Sequence, residues 1–167
     1  MEEWSIKDLG LRELEIVRSG CNNLTYLFSS SIAKLLVMLE KIEVSHYEKI
    51  EEILASAGEE EKEKDILFDK VNSIMLSKLP NLKCFCFETN ALDWPSLEEI
   101  WVICPSLSMF IPSNLNTPML ERVYDALSWE EERTCHWKGD PNPTIKHIFK
   151  GKVWHILTTN ISLMGEF

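Results

Sequence analysis

Between residues 11 and 125 the chain repeats one spacing of apolar side chains, apolar-x-x-apolar-x-apolar. It reads Leu11, Leu14, Ile16; Leu39, Ile42, Val44; Val71, Ile74, Leu76; and Leu97, Ile100, Val102. A fainter fifth copy begins at Leu120 and Val123, with Asp125 in its third apolar place. After each of the four full copies comes a second pattern with apolar residues at +3 and +6: CNNLTYL (21–27), YEKIEEI (47–53), LPNLKCF (79–85) and CPSLSMF (104–110). Leu24, Ile50, Leu82 and Leu107 hold equivalent places, so the steps are 26, 32 and 25 residues. A period of this length constrains the fold more than composition can, because it makes each unit one supersecondary element.

Alternation over the last two apolar positions of each copy predicts a short strand with one buried and one exposed face. The +3, +6 segment then carries the chain away and returns it for the next strand. One unit cannot bury its apolar face alone, whereas stacked units make a continuous core and a parallel sheet along one side. The expected fold class is therefore α/β: a solenoid with short parallel concave strands and an irregular or short-helical convex side.

The layout L-x-x-L-x-L followed by Cys, Leu or Tyr and then L-x-x-L resembles the leucine-rich repeat. The wording goes further. LTYLFSSSIAKLLVMLEKIEV, KIEEIL, KLPNLKCF, WPSLEEIWVICPSL and HWKGDPNPTIKHIF, in that order, look like the C-terminal repeats of plant coiled-coil nucleotide-binding leucine-rich-repeat disease-resistance proteins. The likeness spans roughly residues 11 to 149. It implies a role in effector-triggered defence, where such repeats sense a pathogen effector or a guarded host protein, or hold the receptor off through its switch module. The nucleotide-binding switch has no counterpart here, since no G-x-x-x-x-G-K-[ST] phosphate loop occurs in the 167 residues.

Departures from regular spacing predict local irregularity. Tyr47 and Leu79 follow Val44 and Leu76 by three residues, but Cys21 follows Ile16 by five and Cys104 follows Val102 by two. The run SAGEEEKEKD (56–65) reads as a solvated insertion. SSSIAKLLVMLEKI (29–42), with Ile32, Leu35, Leu36 and Leu39 at helical spacing, predicts an outer helix capped by Ser30 or Ser31. HYEKIEEILASA (46–57) has room for a helical turn or two. Terminal repeats need covers. Trp4, Ile6 and Leu9 supply a thin one; Trp137, Ile145, Ile148 and Phe149 supply the other, with Gly139 to Pro143 as a turn. The expected organisation is a repeat domain over 1–149, capped at about 129–149, and a divergent tail over 150–167.

Composition removes several function classes. A formal charge of −10 disfavours nucleic acid and anionic membrane surfaces, which need a cationic face. The longest apolar run, Leu35 to Leu39, is far short of a membrane span. MEEWSIKDLG has no secretory character, and five cysteines is an odd number, so reduced thiols in the cytoplasm are expected.

The sequence carries no recognisable catalytic constellation. Cys84 and Cys86 flank Phe85, which holds the +6 place, and Cys104 stands where Leu79 stands one unit earlier, so the thiols read as packing. Cys84, Cys86, Cys135 and His136 form the one conceivable zinc foursome, without the close C-x-x-C pairs of structural sites. His46, His136, His147 and His155 lie in no motif that activates a thiol. Glu51-Glu52 and Glu98-Glu99 are adjacent in sequence and point apart. No enzyme, metal or cofactor is expected.

Stacking would leave three rows on the exposed sheet face: Glu13, Lys41, Ser73, Glu99, Arg122; Glu15, Glu43, Met75, Trp101, Tyr124; and Val17, Ser45, Ser77, Ile103. Met75, Trp101, Ile103 and Tyr124 form an apolar patch flanked by Glu99 and Arg122, the residue types enriched in protein interfaces. The expected function is a non-catalytic protein-recognition module of disease-resistance type. Two alternatives stand beside it. One is an adaptor presenting substrates to a ubiquitin ligase, which would need an N-terminal docking helix where only MEEWSIKDLG stands. The other is a non-functional receptor fragment.

Overall fold

In the computed structural model every copy of the apolar spacing carries a strand. The structure describes residues 11–17, 23–33, 35–55, 68–87, 94–110, 116–125 and 134–148. In chain order the strands are β1 (Glu13–Val17), β2 (Tyr26–Phe28), β3 (Lys41–Ser45), β4 (Glu52–Leu54), β5 (Ser73–Ser77), β6 (Cys84–Cys86), β7 (Glu99–Ile103), β8 (Arg122–Asp125) and β9 (Thr134–His136). Among the described residues there is little helix: α1 (Ser30–Ala33) and α2 over residues 141–148.

The strands form two sheets, one ordered β1-β3-β5-β7-β8-β9 and one ordered β2-β4-β6. Every pairing is parallel except β8 with β9. Register places Ile16, Val44, Leu76 and Val102 in one column, and Leu14, Ile42, Ile74, Ile100 and Val123 in another. These side chains point into a core shared with residues of the second sheet, including Ile53, Leu54 and Phe85.

The second sheet is a departure from the expected irregular or short-helical side. The +6 residues Leu27, Ile53 and Phe85 are the centres of β2, β4 and β6, flanked by β-prone Tyr26, Phe28, Cys84 and Cys86. Residues 46–55, the described part of the segment 46–57, accordingly supply β4 rather than helical turns. The predicted helix over 29–42 shrinks to α1. Beyond it Leu36 N–H donates to Ala33 O and Leu39 N–H to Leu36 O, bonds that step back three residues rather than four. Leu36 and Leu39 are thereby buried while Leu35 is exposed, so core spacing overrides helix spacing. Ser29 Oγ accepts the Ile32 N–H at 3.4 Å at the start of this segment; the side chains of Ser30 and Ser31, the expected caps, lie outside those described.

The same backward-three bond recurs at the corners of the units. Leu39, Val71, Leu97 and Leu120 donate to Leu36, Phe68, Trp94 and Thr117; Leu82 and Leu107 donate to Leu79 and Cys104. Leu36, Phe68 and Trp94 are thus an additional buried column, one the apolar spacing alone does not reveal. Phe68 and Trp94 join Phe28, Phe85 and Phe110 in a chain of ring contacts, with centroids 5.1 to 6.4 Å apart.

Spacing after the strands has a backbone cause. His46 and Lys78, directly after β3 and β5, have φ of 64° and 51°. Each left-handed residue turns the chain so that Tyr47 and Leu79 enter the core. The fourth unit lacks this residue, and Cys104 reaches the same buried place one position earlier. The first unit differs in another way: Leu24, at its +3 place, is 42% exposed. Cys21, residues 56–65, the Trp4, Ile6 and Leu9 cover, and Phe149 lie outside the described residues.

At the other end α2 covers the core with Ile145 and Ile148, and Trp137 packs against it. Gly139, with φ of 83°, and Asp140 form a bend, and α2 begins at Pro141, so the expected turn leads directly into the helix. Asp140 Oδ1 accepts the Asn142 N–H at 2.8 Å, and Pro141 and Pro143 occupy the first turn, where no N–H is needed.

Candidate protein-recognition surface

Residues that alternate with the core columns emerge on the other face of the six-stranded sheet. Register brings Met75, Trp101 and Tyr124 side by side on β5, β7 and β8, in line with Glu15 and Glu43. The Trp101 and Tyr124 rings stack with centroids 4.2 Å apart and planes 27° apart, and both remain partly exposed. Ile103 stands in the third row beside Ser77, also partly exposed.

The first row is polar and internally bonded. Ser73 Oγ donates to Glu99 Oε1 at 3.1 Å. Arg122 lies 3.5 Å from Glu98 and 3.9 Å from Glu99, so adjacent acids that were expected to diverge converge on one guanidinium. All six expected surface residues, Met75, Glu99, Trp101, Ile103, Arg122 and Tyr124, therefore stand on neighbouring strands of one sheet.

One member of this face is not evident from the repeat. The antiparallel strand β9 pairs Cys135 with Tyr124, which extends the second row by an exposed thiol. Because β9 reverses direction and follows no repeat spacing, only the pairing reveals it.

The other described cysteines lie elsewhere. Cys84 and Cys86 are buried on β6, in the other sheet, and Cys104 is buried at its corner. The pairs Cys84-Cys86 and Cys135-His136 are not brought together, and no three potential ligands converge among the described residues. Burial pushes the Cys84 thiol up to about 12, with Glu52 and Cys86 adding to the effect and Lys83 opposing it. Burial also raises Cys104 to about 12. Such thiols are protonated near neutrality and are poor nucleophiles.

At the end of the sheet an ionisable pair replaces the apolar column. Asp125 Oδ2 sits 3.6 Å from His136 Nε2, a buried nitrogen with no hydrogen-bond partner among the described residues, and His136 meets the His147 ring at 6.2 Å. Burial, then Lys138, lowers the His136 pKa.

The parallel sheets and in-register apolar columns fit a leucine-rich-repeat arrangement. The family model for plant disease resistance protein RPS2-like leucine-rich repeats matches residues 5–122. The chain belongs to that family. No curated protein and no solved structure matches it. RPS2-like repeats are protein-interaction modules of the disease-resistance type, which assigns this chain to that class. No helix among the described residues is long and apolar enough to cross a membrane.

Proposed function

We propose that these RPS2-like repeats form a non-catalytic recognition module that binds a protein partner across the outward face of the six-stranded sheet. The partner is a pathogen effector, a guarded host protein or the switch module of a receptor. Contact centres on Met75, Trp101, Ile103 and Tyr124, with Glu99 and Arg122 at the rim. Stacked units make one solenoid over residues 1–149, closed by a cap at about 129–149, and the module works in the cytoplasm.

One observation carries this reading: two large aromatic rings lie stacked on the sheet face turned away from the core. A solvated sheet has no need of them there, whereas aromatic side chains are the usual anchors of protein interfaces. Affinity capture from infected and from healthy plant tissue tests it, with wild-type chain and Trp101→Ala run in parallel. A specific protein retained by the wild type and lost with Trp101→Ala supports the reading. Retention that ignores the substitution overturns the placement of the surface.

A further inference from the structure

β1 is the outermost strand at one side of the six-stranded sheet, and among the described residues it is paired only with β3. Along the sheet, each strand is entered by an N–H that donates to a carbonyl of the unit before. The Lys41 N–H donates to Arg12 O at 3.0 Å, Ser73 N–H to Glu40 O at 3.4 Å and Glu99 N–H to Asn72 O at 3.2 Å. Glu13 is their register equivalent, and its N–H has no such acceptor among the described residues. An open row of backbone donors and carbonyls is a template for a further strand.

The side chains of β1 say what that strand would carry. Leu14 and Ile16 stand in columns whose next members, Ile42 and Val44, are fully buried, yet both remain partly exposed. The two apolar columns are therefore incomplete at β1. On the other face Glu13 and Glu15 are exposed. Glu13 has Lys41 as its register neighbour, whereas Glu15 has Glu43, a like charge that repels across neighbouring strands.

We propose that the edge of β1 takes an extended segment of a partner protein as an added strand, in which lysine or arginine alternates with aliphatic residues. The aliphatic side chains lie against Leu14 and Ile16 and complete the core columns, while the cations lie beside Glu13 and Glu15. A strand's period of two delivers both sets from one short segment, in either direction of pairing. Charge selects this occupant over a second copy of the chain. Two β1 edges brought together would set glutamates against glutamates on one face, in a chain of formal charge −10. The edge is distinct from the face that carries Trp101 and Tyr124, and neither surface requires the other.

The test uses fluorescence anisotropy of short labelled peptides with the full chain. One peptide alternates lysine with valine; a second has glutamate in place of lysine; a third is the first with alternate backbone nitrogens methylated, which blocks strand pairing. The first is expected to bind at least several-fold tighter than the others, and less tightly as salt is raised. Glu15→Lys is expected to weaken it roughly three- to tenfold and to favour the glutamate peptide instead. Amide exchange over residues 12–16 is expected to slow when the first peptide is added, while exchange in β9, at the opposite edge, stays as it was. Equal binding of the three peptides, or no binding, overturns the proposal. So does binding indifferent to Glu15→Lys, or binding lost with Trp101→Ala, which would seat the peptide on the sheet face. Protection of residues 12–16 that rises with the concentration of the chain alone would give the edge to a second copy and overturn it as well.

Discussion

The backbone N–H of Phe110 donates to Asn142 Oδ1 at 2.6 Å. Phe110 O accepts from Phe85 N–H at 2.8 Å, so residue 110 continues the hydrogen-bonded layer begun by β2, β4 and β6. Where the next unit would supply a carbonyl, a side chain of α2 does so instead. Asn142→Ala leaves a donor of a buried residue unpaired and is expected to cost about 1–3 kcal/mol. Asn142→Asp retains the acceptor and is expected to cost less. Urea unfolding of the two variants checks the order, and equal losses would contradict it.

Lys78 has φ of 51° and an exposed side chain. Lys78→Gly relieves a left-handed conformation worth about 1–2 kcal/mol, offset by the larger entropy of unfolded glycine. A net gain of about 0.5–1 kcal/mol is expected. Lys78→Val is expected to lose stability, because a β-branched side chain tolerates this conformation least. Thermal unfolding of both variants checks the sign.

These two positions also show what the sequence made legible. The inner columns followed from spacing alone, because burial at every second strand residue leaves a plain signature. The second sheet did not follow, because YLF, EIL and CFC are three-residue strands, too short for alternation to declare itself. The helical spacing of Ile32, Leu35, Leu36 and Leu39 misled for a related reason: two of those residues serve corners of neighbouring units. On the exposed face the rows were readable, while Cys135 depended on an antiparallel pairing outside the repeat.

His136 makes the C-terminal end sensitive to acid. Its pKa in the fold lies below the ordinary 6.5, so the unfolded chain takes up the proton first as pH falls. Its contribution to stability is intact above about pH 6.5 and is lost progressively as pH falls through the window down to the folded pKa. Burial, then Lys138, gives the shift its direction, and Asp125 and His147 lie beside the ring. His136→Gln is expected to reduce the loss in urea midpoint between pH 7.5 and 5.5. An unchanged pH dependence in this variant would assign the effect to other groups.

Thiol reactivity separates packing from chemistry. Cys135 is exposed, whereas Cys84, Cys86 and Cys104 are buried. With native protein at pH 7, maleimide is expected to label Cys135 promptly and the other three only after denaturant is added. Rapid native labelling of Cys84 would contradict its placement in the core.

The central claim is that Trp101 and Tyr124 contribute more to partner binding than to the stability of the fold. The direct measurement is thermal unfolding of the Trp101→Ala, Tyr124→Ala double variant beside Phe85→Ala, with partner capture recorded on the same samples. Loss of the exposed stack is expected to cost about 0.5–1.5 kcal/mol, against about 3–5 kcal/mol for the fully buried Phe85, while capture disappears. A double variant that unfolds as readily as Phe85→Ala, or one that keeps its partner, would contradict the account.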